Sequence, residues 1–128
     1  MNQNEILQCT VEDLAAWAVP EFFTPISVDV ETVEGLNEVG QCMQRLSNRY
    51  AFLASMLAVL KYSIRQAKDK KNKVETDELI DKKEIMQRAL DNVKQQQSTV
   101  SRMITIRQEV NRELGMNGGA IYGRNSHG

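Results

Sequence analysis

Residues 36–67 read LNEVGQCMQRLSNRYAFLASMLAVLKYSIRQA, and the fold follows from how their apolar members are spaced. Leu36, Val39, Met43, Leu46, Tyr50, Leu53, Leu57, Leu60, Ile64 and Ala67 succeed one another in alternating steps of three and four. Such steps keep side chains on one face of an α-helix, and their sustained alternation is a heptad stripe. No proline follows Pro25, so the spacing predicts one helix from about residue 30 to 70, roughly 60 Å long at 1.5 Å rise per residue. Asp29 or Thr32 can cap its start. Glu31 and Glu34 in the first turn, with Lys68, Lys70 and Lys71 at the end, suit the helix macrodipole.

The middle of this helix is apolar well beyond the stripe. Ala51, Phe52, Ala54, Met56, Ala58 and Val59 surround it and leave Ser55 as the polar member. A helix apolar most of the way round has to be covered on more than one side. One partner helix covers one face, so a third element is required there: the N-terminal arm or another subunit.

Residues 69–74, DKKNKV, form a polar turn before a second periodic run that opens with Glu75, Asp77, Glu78, Asp81 and Glu84. Acids at a helix start again match the dipole, with Glu75 or Thr76 near the cap. Leu79, Met86, Leu90, Val93, Val100 and Ile104 keep a stripe, whereas Gln97, Arg107 and Asn111 fall where apolar residues are expected. The apolar positions then shift to Met103, Ile106, Val110 and Leu114. Gln95, Gln96 and Gln97 either set register as buried polar residues or form a solvated stretch. Gly115 supplies a left-handed residue after the helix's expected end at Leu114. Two helices of about 40 residues joined by a short turn predict an antiparallel hairpin.

At the N-terminus, Thr10 to Asp13 (TVED) resembles a capping box opening a short helix that Pro20 is expected to stop. Pro25 and the alternation Ile26, Val28, Val30 suggest an extended link into the long helix. The glycine-rich stretch 116–128 holds the single histidine, His127, and is expected to form a flexible tail. The expected organisation is therefore all-α: an arm over 1–29, a coiled-coil-like hairpin over 30–115 with its turn near 69–75, and a tail over 116–128.

The 128 residues are 41% hydrophobic and 26% charged, which excludes a wholly disordered, collagen-like or disulfide-scaffold chain. Cys9 and Cys42 are too few for a disulfide framework and suit reduced thiols in a cytosolic setting. Residues 1–7 resemble no signal peptide, and the near-apolar run 50–60 is far shorter than a membrane span. Charge is segregated: residues 1–38 carry eight acids and no base, and residues 39–73 carry a net charge of +7. Either the acidic arm folds back and neutralises the basic helix, or the two are separate docking surfaces.

No glycine-rich phosphate loop, nucleophile elbow or Cys/His zinc set occurs. Glu31/Glu34 and Glu78/Asp81 have a spacing that can chelate Mg²⁺, but helix dipoles account for them. The expectation is accordingly no enzyme, no cofactor and no metal. Arg45, Arg49, Lys61, Arg65, Lys70 and Lys71 are candidates for phosphate contacts with nucleic acid. Trp17, Phe22, Phe23, Tyr50, Phe52, Met56 and Val59 are candidates for a protein interface, the alternative being that the aromatics pack on the long helix.

Residues 45–53 (RLSNRYAFL) and 101–114 (SRMITIRQEVNREL) resemble segments of small helical proteins encoded by tailed phages and prophages of gut bacteria. The resemblance implies a phage origin and a two-helix body, and it carries over no functional residues. The resulting expectation is a structural, assembly or adaptor protein of a virion or of the host cytoplasm, binding a second copy or another phage or host protein. The alternatives are an inhibitor docking on a host enzyme and a DNA-binding accessory of phage recombination or replication.

Overall fold

The computed structural model describes residues 1–25 and 33–118. Among them the chain forms four α-helices and no strand: α1 (Gln3–Gln8), α2 (Val11–Phe22), α3 (Val33–Asp69) and α4 (Lys73–Gly118). Asp29, Thr32 and the alternation Ile26, Val28, Val30 lie outside the described residues, as do positions 119–128 with His127.

Each N-terminal helix is started by its own cap. The Asn2 side chain accepts the Glu5 N–H at 2.9 Å while the Glu5 carboxylate accepts the Asn2 N–H at 3.2 Å. This reciprocal capping box initiates a six-residue helix that the apolar periodicity alone does not reveal. Thr10 Oγ1 accepts from the Asp13 N–H at 3.1 Å and starts α2. The expected stop at Pro20 is corrected: α2 continues through Phe22. A proline's fixed φ is compatible with helix and it removes one donor, while the Phe23 N–H still reaches the Val19 carbonyl and Thr24 Oγ1 donates to the Pro20 carbonyl.

The connection between α3 and α4 is residues 70–72. The Lys71 N–H bonds the Lys68 carbonyl and the Asn72 N–H bonds the Ala67 carbonyl, both at 3.0 Å, which is the Schellman pattern with Lys71 at φ 57°. Asn72 then caps α4, its Oδ1 accepting from the Glu75 N–H at 3.1 Å. One residue closes one helix and opens the next, a role the sequence reading placed at Glu75 or Thr76. At the far end α4 runs through Gly115 to Gly118, past its expected end.

Helices α3 and α4 make the largest contact in the molecule, and α2 packs on α4. Val39, Leu46, Leu53, Leu60 and Ala67, each seven residues from the next, are buried, as are Leu57 and Ile64. Leu36 and Tyr50 depart from the predicted stripe, being 45% and 37% exposed, whereas Cys42 and Met56 beside them are sealed. On α4, Leu79, Met86, Leu90, Val93 and Val100 are buried as their spacing predicts.

The third element is the arm. Gln3 Nε2 donates to Ser55 Oγ of α3 at 2.9 Å, and Lys82 of α4, only 3% exposed, donates from Nζ to the Leu7 carbonyl at 2.9 Å. Asn92 Nδ2 donates to the Phe22 carbonyl at 2.6 Å and Gln96 Nε2 to the Thr24 carbonyl at 3.2 Å. Carbonyls at the arm's helix ends thus accept hydrogen bonds from α4 side chains.

Candidate interaction surfaces

The residues expected at a protein interface divide into buried and open members. Phe22 and Met56 lie in the core, so the expectation that they face a partner is corrected: intramolecular burial already covers them. Trp17, Phe52 and Val59 are half-buried against that core, and Trp17 meets Phe22 edge to face with centroids 5.2 Å apart. Trp17, Phe22 and Phe52, with Met1, Asn48 and the Glu21/Arg49 pair, enclose a shallow cleft of about 330 Å³ between α2 and α3. Phe23 and Tyr50 keep over a third of their surface. The Tyr50 ring is covered on one side by Lys94, whose Nζ stands 5.9 Å from its centroid.

The basic candidates do not form one stripe. At about 100° per residue, Lys61 and Arg65 lie roughly on the opposite side of α3 from Arg45 and Arg49. Arg49 turns toward the arm, with Nη2 4.0 Å from Glu21 Oε1. That pair is loose and solvated, so charge neutralisation contributes little to seating the arm. Lys70 and Lys71 are exposed in the turn, where Lys68, Lys71, Asn72, Lys73 and Thr76 line a cleft of about 240 Å³.

Glu78 and Asp81 are exposed on α4, Glu34 is exposed at the start of α3, and Glu31 lies outside the described residues. Among the described residues, no group of three or more His, Cys, Asp or Glu is placed to hold a metal ion, and no helix is long and apolar enough to cross a membrane.

The clearest uncovered feature is on the last third of α4. The arm's anchors Lys82, Asn92 and Gln96 define one line of that helix, and the line continues past Pro25: Met103 and Val110 repeat Gln96 at intervals of seven, and Ile106 lies two heptads beyond Asn92. The apparent stripe shift in the sequence is this second line, while Arg107 and Asn111 continue the first. Met103 is half-buried, but Ile106, Val110 and Leu114 are 55%, 38% and 60% exposed. Sequence reasoning missed Lys82, Asn92 and Gln96 as arm anchors. Gln96 is the member of the glutamine run that bonds the arm, beside the exposed Gln95 and the half-buried Gln97. A polar residue interrupting an apolar face was the available signal.

No protein-family model, no curated protein and no solved structure matches this chain.

Proposed function

We propose that this is a non-enzymatic structural, assembly or adaptor protein, built on a long antiparallel hairpin of α3 and α4 and acting through protein–protein contacts. The carrying observation is the exposed line Ile106, Val110 and Leu114 on α4. Contiguous apolar surface on a helix face is a feature of docking surfaces.

Three observations support the antiparallel hairpin. The connection is a three-residue turn. Passing along the arm from Gln3 to Thr24, the contacts climb α4 from Lys82 to Gln96 and descend α3 from Ser55 to Arg49. Tyr50 and Lys94, each 22 residues from Asn72, are in contact.

The resemblance of 45–53 and 101–114 to tailed-phage proteins makes a virion or virion-assembly component the reading we adopt, located in the host cytoplasm or the particle. The basic turn favours a second reading, a DNA-binding accessory, because Lys68, Lys70, Lys71 and Lys73 cluster at one end of α3 and α4. Gel retardation separates the two. The protein-contact reading expects no retardation of duplex DNA at low salt. Salt-sensitive retardation that is lost on reversing Lys68, Lys70, Lys71 and Lys73 would overturn it.

A further inference from the structure

We propose that the turn joining α3 and α4 is a binding site for a small oligophosphate, held by the ammonium groups of Lys68, Lys71 and Lys73. This goes beyond the protein-contact reading above and does not depend on it.

Lys71 holds a left-handed conformation, φ 57°, where glycine is the unstrained choice. Strain of this kind gathers at functional positions, where the side chain is needed for what it does. With Lys68, Asn72, Lys73 and Thr76 it lines a cleft of about 240 Å³ where α3 ends and α4 begins. All three lysines are exposed. Among the described residues neither they nor Lys70 beside them have a carboxylate within ion-pair distance. Asp69 and Glu75 flank the turn in sequence, but no carboxylate among the described residues lines the cleft. Its charge is therefore uncompensated.

The other polar groups of the cleft are already engaged. Asn72 Oδ1 accepts from the Glu75 N–H and Asn72 Nδ2 donates to Glu75 Oε2, both at 3.1 Å. Thr76 Oγ1 donates to the Asn72 carbonyl at 2.7 Å, and the Thr76 N–H bonds the same carbonyl. The start of α4 is thus capped from within, and ammonium groups remain as the donors for a ligand. Each is a compact point charge that only donates, so the complementary ligand only accepts and carries several negative charges close together. No aromatic residue or arginine among the described residues lines the cleft, so neither base stacking nor forked recognition of a carboxylate is available. The chemistry that fits is a short run of phosphates. A DNA duplex is served poorly by the same cluster, because about 6–10 phosphate contacts along the backbone hold it firmly, whereas these lysines gather around one three-residue turn.

Calorimetric titration of the full-length chain with sodium tripolyphosphate, at about 0.05 M sodium chloride where screening is weak, tests the site. Binding should saturate at equimolar ligand and raise the melting midpoint. Lys71→Gly should weaken it by at least about tenfold, while the midpoint of the unliganded variant stays level or rises. The lost affinity then reports the missing ammonium and not a lost fold. Lys68→Gln and Lys73→Gln should weaken binding as well, whereas Lys61→Gln, at an exposed lysine elsewhere on α3, should leave it unchanged. Citrate, a carboxylate polyanion of lower charge, should bind at least about tenfold more weakly than tripolyphosphate. The site is overturned by an absence of saturable binding, by undiminished affinity in Lys71→Gly, by an equal loss in Lys61→Gln, or by citrate binding as tightly. None of these results touches the protein-contact reading, whose failure appears separately, as retardation of duplex DNA.

Discussion

Lys71 sits in the left-handed region at φ 57° because the turn between α3 and α4 closes as a Schellman motif, and that position ordinarily belongs to glycine. A residue with a Cβ is strained there by about 1–2 kcal/mol. Lys71→Gly should therefore stabilise the protein by about 0.5–1 kcal/mol, once the greater freedom of glycine in the unfolded chain is set against the relief. The midpoint of urea unfolding should rise; a fall would mean that the lysine makes a contribution beyond its backbone. Gly40 presents the converse case, a glycine inside α3 where an added Cβ meets nothing within 4 Å. Gly40→Ala should raise stability by about 0.5–1 kcal/mol in the same assay, and an unchanged or lower midpoint would count against a well-formed α3 at that position.

On the scale of the helix, phase decides which residues matter, and α3 allows the phase to be tested directly. Leu53 is fully buried and Leu36, on the same predicted stripe, is nearly half exposed. Leu53→Ala should cost about 2–5 kcal/mol through lost burial and the cavity left behind, whereas Leu36→Ala should cost under about 1 kcal/mol. Similar losses from both in chemical denaturation would refute this assignment of faces. The heptad made the helix itself, its direction and the line from Val39 to Ala67 readable from residue spacing alone. The apolar surround of 51–59, Met56 included, also required a second covered face, but it did not say which segment covers it, that Cys42 is buried or that Tyr50 stays open. The identity of the cover depends on where a distant segment lies, and periodicity within one helix carries no information on that. The surface on α4 was half legible for the same reason: Met103, Ile106, Val110 and Leu114 stood out as a shifted stripe, but nothing local indicated that the first of them lies beside the arm. The arm's anchors were hidden because Lys82, Asn92 and Gln96 act through backbone carbonyls of Leu7, Phe22 and Thr24, which have no signature in sequence.

For the whole molecule the question is what holds the arm down. The charge segregation of the sequence suggested attraction between an acidic arm and a basic helix, yet the contacts are mostly of another kind. Ile6, Leu14, Ala18 and Phe22 are buried in the common core, and the Leu7 and Phe22 carbonyls are held by partly buried α4 side chains. Glu21 and Arg49 meet at 4.0 Å with substantial solvent exposure, a pair whose contribution is small and screened by salt. Burial of apolar surface, by contrast, is not weakened by added sodium chloride. Two outcomes follow from this difference. Deleting residues 1–25 should expose the apolar lines of α3 and α4, so the truncated chain should aggregate or gain oligomeric order; unchanged mass and solubility would show that the arm does not cover them. Raising sodium chloride from about 0.05 to 0.5 M, where the Debye length falls below roughly 5 Å, should leave both the melting midpoint and the protease resistance of the arm essentially unchanged. If the arm were held by its acids, Glu5, Glu12, Asp13 and Glu21, the same change would release it first, and cleavage within residues 1–25 would accelerate well before the helices melt.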